Sequence, residues 1–350
     1  MTINRIVLVD PHITDEFFTP VRFYIKKRRA LKKYSYLANI YDVPIVTFSY
    51  TNSGIIPKKI FSKLPRFLRV FLVYLEFILW SSLQTEKIVV SSLTDGDLAI
   101  CALRNVDERC GHYIKSKKCR IAWLMSHFHI AEGNLKYVNK DDIILTDNKK
   151  NIFDSIDNKI VFSPPSVKLR FKNKNLKRSK KIISMGTIHL YSYEFPGSTK
   201  YNEYYTLHPS RADVYFSNST IYNKNFSIIG DRDSLYHSQK GYMNQDIVEI
   251  YNSHRYAFIG SEFSGVFALG MVEAMCCGCE VFVEESIADS LGLKDGEHAW
   301  LFDGSAKGLE LKYREVIEGN LTLDNDEINR FTEKFRDEHL IIDMKGHLIG

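Results

Sequence analysis

The amino-acid sequence predicts an α/β protein of two Rossmann-like lobes with an interlobe cleft. Three observations carry this expectation. Both halves open on a β-branched run and a polar turn, Ile6-Val7-Leu8-Val9 in one and Ile182-Ile183-Ser184-Met185 in the other, and then alternate helical and strand patterns. The 350 residues, 45% hydrophobic and 25% charged, suffice for two domains and exclude a disordered tail, a fibrous repeat or a small disulfide-stapled module. The charge is split: residues 1–178 hold 31 Lys+Arg against 16 Asp+Glu, a balance of +15, and the rest hold 16 against 26, or −10. The changeover falls in the polar run Lys172 to Lys181, which has no apolar periodicity. The expected organisation is a basic N-terminal lobe over 1–172, a linker over 173–181 and an acidic C-terminal lobe over 182–350.

In the first lobe, strands are expected at Ile6–Val9, Pro44–Phe48, Lys87–Val90, Arg120–Leu124 and Asp142–Thr146, short apolar runs of the kind buried parallel strands show. In the second they fall at Ile182–Met185, Asn225–Ile229, Ala257–Ile259 and Glu280–Val283. The first apolar run stops at Asp10-Pro11, short of a signal-peptide core, so a cytoplasmic protein is expected. The six cysteines then read as reduced thiols. Cys276, Cys277 and Cys279 lie too close together to chelate one tetrahedral ion well.

Between Ile56 and Trp80, Lys58, Lys59, Lys63, Arg66 and Arg69 precede and interleave with apolar residues at helical spacing. The uninterrupted apolar stretch is well under the roughly 18–20 residues that a spanning helix needs. Two readings stand: an amphipathic helix covering the first sheet, or an interfacial helix peripheral to an anionic membrane. A second basic run, Lys26 to Lys33, belongs to the same lobe, and together they favour phosphate-rich partners.

The segment from Phe258 to Val283 reads strand, small-residue loop, helix carrying Glu273, glycine turn, strand. Small residues at a helix N-terminus present backbone N–H groups and the positive dipole end to an anion such as a diphosphate. One turn further in, a carboxylate is placed to accept hydrogen bonds from two sugar hydroxyls.

This segment resembles the retaining GT-B glycosyltransferases of the family-4 (group 1) type, whose donor lobe carries S-x-x-E-G-F-G-L-x-x-x-E-A-M-A-x-G-x-P-V. Phe267, Leu269, Glu273-Ala274-Met275, Gly278 and Val281 fall on that pattern. It departs where the first glutamate meets Gly265, the next two glycines Val266 and Ala268, and the proline Glu280. The resemblance implies that Glu273 binds the donor ribose, and that the loop of Gly265, Val266, Phe267, Ala268 and Leu269 lies against the donor. It also implies that a carboxylate near the transferred sugar is missing; Glu262 replaces it only if the loop is rebuilt.

Around Gly186-Thr187 the sequence is similar to the family's first donor-lobe strand and turn, and Gly241 to the glycine before the loop holding the base. Lys200 and Arg211, with His208 beside them, are nominated for the diphosphate, whose charge grows as the glycosidic bond breaks. In the basic lobe, Ile121 to His129 is similar to the family's strand ending in a histidine that faces the cleft. His127 is the first candidate there and His129 the second. Asp95-Gly96-Asp97 imitates a metal-binding motif of another architecture and reads as helix-capping or acceptor-side residues, so no metal and no cofactor is expected.

The resulting expectation is a glycosyltransferase that moves a sugar from a nucleotide-sugar donor to an anionic saccharide or lipid-linked acceptor of surface-polysaccharide type at a membrane. The resemblance implies retention, with the donor's own phosphate oxygen as base. Two alternatives stay open: a catalytically silent GT-B-like binding subunit, and a nucleic-acid-modifying sugar transferase, for which no nucleic-acid-reading motif speaks.

Overall fold

The computed structural model describes residues 3–10, 16–17, 35–49, 56–83, 89–90, 92–103, 106, 108–125, 132–146, 156–164, 166–189, 213–214, 217–229, 246–261 and 267–340. The chain divides into two compact units. The first takes residues 1–147 and 151–165 with the tail from Leu340, and the second takes Ser166–His339.

The first unit holds a parallel sheet of β1 (Arg5–Asp10), β2 (Ile45–Ser49), β3 (Val89–Val90), β4 (Asp97–Ala102), β5 (Arg120–Leu124), β6 (Ile143–Thr146) and β7 (Lys159–Phe162), ordered β3-β2-β1-β4-β5-β6-β7. Successive side chains leave opposite faces of a strand. Val7, Val9, Ala99, Cys101, Ile121 and Trp123 therefore build one core, with Cys110 and Ile114 of helix α3 below. Ile6, Leu8, Leu98, Ile100 and Ala122 build the other, with Ile40 and Leu340. Helix α1 spans Ser35–Tyr41, α2 Arg66–Leu83 and α3 Glu108–Lys115.

Strand β4 was not expected from sequence, although it lies beside β1 at the centre of the sheet. Asp97 opens it and is not a helix cap. It binds Arg5 Nε at 2.6 Å and accepts from the Thr94 N–H at 2.6 Å. Burial pushes this carboxyl up, but the Arg5 guanidinium and the Thr94 N–H outweigh it and hold the group below its usual value.

The second unit has a parallel sheet of β8 (Ser179–His189), β9 (Tyr222–Ile229), β10 (His254–Phe258), β11 (Glu280–Glu284) and β12 (Trp300–Phe302), ordered β9-β8-β10-β11-β12. Its helices are α4 (Ile247–Asn252), α5 (Leu269–Cys276), α6 (Glu285–Leu291), α7 (Ala306–Glu318) and α8 (Asn325–Glu333). Tyr256, Phe258 and Phe282 fill the core, with Tyr313 of α7 edge-on to Tyr256 at 5.7 Å.

The expected linker differs from what the structure contains. Arg178 donates to the carbonyls of Gly278 (2.5 Å), Cys277 (2.6 Å) and His254 (3.2 Å), and buried Asn252 accepts the Lys174 N–H at 2.6 Å. Strand β8 begins at Ser179. Residues 173–178 are thus a strap on the second unit, and 179–181 already belong to β8. That unit already starts at Ser166, where Arg336 holds the carbonyls of Val167, Lys168 and Phe171. The far boundary also moves: Leu340 is buried in the first unit's core, not the second's.

Candidate functional site

In an open parallel sheet, ligands bind beyond the carboxyl ends of the strands where the strand order reverses. In the second unit that point lies between β8, which pairs with β9 on one side, and β10 on the other. Strand β8 carries Gly186 at φ 153°, a backbone conformation open to glycine. Strand β10 runs on into buried Ile259, Gly260 and Ser261. After 262–266, buried Phe267 and Ala268 lead into α5. Phe267 is anchored edge-on against Phe335 at 5.9 Å. Ala268, at the N-cap, supplies no side-chain cap, and its carbonyl accepts the first-turn N–H of Met271 at 2.9 Å.

Helix α5 buries Met271, Val272, Ala274, Met275 and Cys276 and leaves Leu269, Gly270 and Glu273 on its more open face. Burial lifts the Glu273 carboxyl to about 7, against the pull of Arg170. The group is therefore poised between its neutral and ionised forms near neutrality.

The C-terminal end of α5 is structural. Gly278 takes φ 81°, and a Cβ there would stand 2.6 Å from Asn173 Nδ2 and 2.9 Å from Arg178 Nη2. This explains the glycine at that position: it lets Arg178 close on the last carbonyls of the helix. Cys276, Cys277 and Cys279 are free and buried. Burial raises all three thiols, that of Cys277 to about 12, and Cys279 Sγ donates to the Tyr251 carbonyl at 3.1 Å. Glu280, where the pattern has proline, accepts from Arg255 Nε (2.8 Å) and Trp300 Nε1 (2.9 Å), tying β10, β11 and β12 together.

Sequence reasoning missed one pair. At the other end of β11, Glu284 is 7% exposed and accepts from the Ser261 N–H (3.2 Å) and Oγ–H (3.3 Å). A charged residue closing the otherwise apolar run Val281-Phe282-Val283 is the available signal; its partner, 23 residues earlier, is set by the parallel register.

Neither a family model nor a curated protein sequence matches the chain. Solved structures align along its whole length. The lipopolysaccharide outer core galactosyltransferase WaaB, in apo form, matches at 14% identity over 99% of both chains, TM-score 0.52. Anabaena Alr3699/HepE in complex with UDP and glucose matches at 12% over 99% of both, TM-score 0.53. Sucrose-phosphate synthase from Thermosynechococcus elongatus matches at 12% over 98% of both, TM-score 0.52. The fold is GT-B.

In this GT-B chain the described donor-lobe candidates Gly186, Phe267, Ala268, Leu269 and Glu273 all lie in the stretches of β8 and of the 258–276 segment just described. Thr187 follows Gly186 within β8. His127, His129, Lys200, His208, Arg211, Gly241, Glu262, Gly265 and Val266 lie outside the described residues. Lys58 and Lys59 start a single helical turn, Lys58–Phe61, while Lys63 and Arg66 are exposed and Arg69 half-buried at the start of α2. Phe67, Val70, Phe71 and Tyr74 of α2 are 56–75% exposed, and their spacing puts them on one face. That face does not cover the sheet. No helix among the described residues is long and apolar enough to cross a membrane.

Among the described residues, Glu297, His298 and Glu327 alone bring three potential metal-ligand atoms within 4.8 Å of one another. The Lys294 N–H occupies His298 Nδ1 at 3.2 Å, so the neutral ring carries its proton on Nε2, toward Glu297. This arrangement suits a hydrogen-bonded imidazole better than a metal ligand.

Proposed function

We propose that the chain is a nucleotide-sugar-dependent glycosyltransferase working on the cytoplasmic face of a membrane. The GT-B fold over its whole length, with Glu273 on the open face of α5, is the observation that carries the reading. In this reading the donor diphosphate lies at the N-terminus of α5, where first-turn N–H groups and the helix dipole stabilise the growing charge. Lys200 and Arg211, with His208, add cations there. Glu273 accepts the two ribose hydroxyls, and Gly241 precedes the loop that holds the base. His127, with His129 behind it, binds the acceptor or handles its proton, the donor's own phosphate oxygen takes the proton of the incoming hydroxyl, and the anomeric configuration is retained. The reaction needs neither a metal nor a cofactor, and the nucleotide sugar is a substrate.

The acceptor is an anionic saccharide or lipid-linked glycan of the surface-polysaccharide or lipopolysaccharide type. The exposed apolar face of α2, preceded by Lys58, Lys59, Lys63, Arg66 and Arg69, supports peripheral contact with anionic lipid. Each such cation contributes about 1 kcal/mol near an anionic leaflet.

A panel of nucleotide sugars, screened by thermal shift and by turnover, tests the reading. UDP sugars come first, because HepE is seen with UDP and glucose. Ligand at a hundred times its Kd adds about 2.7 kcal/mol of stability. Binding without turnover identifies a silent subunit, and no binding by any nucleotide sugar rejects the donor site. His127→Ala is expected to lose far more activity than His129→Ala, since the resemblance makes His127 the histidine that ends the strand; equal losses would give His129 an equal part. Serine at all five α2-proximal cations is expected to release the protein from anionic liposomes while leaving donor binding intact. Wild-type protein that ignores such liposomes at low salt would remove the membrane from the reading.

A further inference from the structure

The segment that opens the second unit at Ser166 runs along α5. Just beyond α8, Phe335 and Arg336 hold its start. The Val167 N–H donates to the Phe335 carbonyl at 2.9 Å, and Arg336 grips the carbonyls of Val167, Lys168 and Phe171. The Phe171 N–H closes a turn onto the Lys168 carbonyl at 3.0 Å, and Phe171 is 1% exposed. Since Phe335 also packs edge-on against Phe267, this turn lies near the beginning of α5. Further along, the Lys172 backbone hydrogen-bonds the Cys277 thiol, and Asn173 stands against Gly278 at the helix end. Residues four apart share a helix face, so Glu273 lies one turn before Cys277 on the face that this segment follows. Two residues of chain span up to about 7 Å and one helical turn about 5.4 Å. Arg170 therefore stands level with Glu273, as Lys172 does with Cys277.

The guanidinium of Arg170 lies 4.9 Å from the centre of the Phe171 ring, so its arm folds back along the buried anchor of the turn. There its charge acts on Glu273, opposing the rise that burial imposes on that carboxyl. Other ionisable groups face this position among the described residues. Cys276 and Cys277 of α5 feel the Glu273 charge and are themselves kept as neutral thiols by burial. The charge of Arg178 falls on Cys277, and those of Glu333 and Arg336 fall on Cys276 with opposite sign. A carboxyl that binds ribose must accept from two hydroxyls, and its ionised form offers both oxygens as acceptors. We propose that Arg170 is a positioning residue of the donor site: seated by the turn that Arg336 clamps, it is the counter-charge that keeps Glu273 a carboxylate for the two ribose hydroxyls. This rests on the donor reading given above. It assigns Arg170 no contact with the donor.

The test titrates the full chain with UDP between pH 5 and pH 9. Arg170→Met keeps an apolar arm on Phe171 and removes the charge, Arg170→Lys keeps the charge, and Glu273→Gln is the reference for the ionisation of UDP itself. Wild-type affinity is expected to rise through about pH 7 as Glu273 ionises. In Arg170→Met the rise should move up by about one pH unit, the scale of losing an adjacent cation, so that binding is about fivefold weaker at pH 7 and nearly restored by about pH 9. Arg170→Lys should stay near the wild type, and Arg170→Met should change nothing further in a Glu273→Gln chain. A loss by the same factor at every pH, or one that persists in the Glu273→Gln chain, would make Arg170 a direct contact of the donor and overturn the proposal. An unmoved pH profile overturns it too, with or without a lowered melting temperature. A second readout needs no donor: the melting temperature of each chain relative to its Glu273→Gln counterpart. Protonated Glu273 stabilises the fold fully below about pH 4.5 and loses that effect as pH rises through about 7 in the wild type. In Arg170→Met the loss should run about one unit higher. Wild-type protein that binds no UDP would sink the donor reading, while this melting profile still decides whether Arg170 sets the charge of Glu273.

Discussion

The two ends of β11 carry the same residue type at similar burial and are built to opposite standards. At the amino end, Glu280 is matched by Arg255 and Trp300, and the neighbouring carbonyls of Cys277 and Gly278 are gripped by Arg178. At the carboxyl end, Glu284 meets Ser261 among the described residues, and α5 begins at Ala268 without a side-chain cap. The first sheet resembles the amino end: Arg5 is paired to Asp97, and Trp123 Nε1 donates to buried Asp142 at 2.8 Å. Where polar groups are saturated by protein they hold strands together. The carboxyl end is the edge beyond which open α/β sheets bind ligands.

The largest break in this comparison is expected from Arg255→Ala. It leaves the Glu280 carboxylate buried with only the indole of Trp300, and removing one partner of a buried pair costs about 3–5 kcal/mol. Urea unfolding measures the loss, and donor constants of the folded fraction should not change. Replacing both partners together, Arg255→Met with Glu280→Leu, should recover much of it. A stability loss at Glu284→Ala as large as at Arg255→Ala would erase the distinction between the two ends.

The sequence carries the two-lobed α/β plan in its β-branched runs, and the donor-lobe pattern around Glu273 in the order of its small residues. It hides β4, because Leu98-Ala99-Ile100-Cys101-Ala102 is poor in β-branched residues and is a strand by virtue of its parallel pairing with β1 and β5. The short strands β7 and β12 are missed for the same reason of context. Polar residues mislead at 173–181: Asn173, Lys174 and Arg178 read as solvated linker but bind Arg178 itself, Asn252 and helix-end carbonyls. At the site, Glu273 is legible because it lies inside a contiguous pattern. The Ser261–Glu284 pair is not, because only the folded register brings together residues so far apart in the chain.

Glu273 sharpens the comparison through pH. Its carboxyl is lifted by burial from about 4.5 to about 7, so the folded state holds the proton more tightly than the unfolded chain does. That stabilising contribution is complete below about pH 4.5 and lost as pH rises through about 7, a change of about 3 kcal/mol at most. Glu273→Gln removes the titration, so its melting temperature should gain on the wild type between pH 5 and pH 8. Over the same range the wild-type KM for donor should fall as the carboxylate forms. In the variant it should stay high and flat, with a loss of about 1.5–3 kcal/mol in kcat/KM. A variant with unchanged kcat/KM would take Glu273 out of the site.

The smallest effect is expected at Gly278→Ala, on the saturated side of the comparison. The φ of 81° strains any residue with a Cβ, and the new methyl would meet Asn173 Nδ2 and Arg178 Nη2 at 2.6 and 2.9 Å. Both are side-chain atoms that can shift, so the cost is the left-handed backbone plus a loosened Arg178 clamp, about 2 kcal/mol. Glycine in this position of a nucleotide-sugar motif invites the reading that it touches ligand. The geometry places it under Arg178 at the far end of α5, so Gly278→Ala should lower the unfolding midpoint and leave UDP affinity at the wild-type value. A selective loss of UDP binding at full stability would show instead that the amino end of β11 communicates with the donor loop, and the division between the two ends would have to be redrawn.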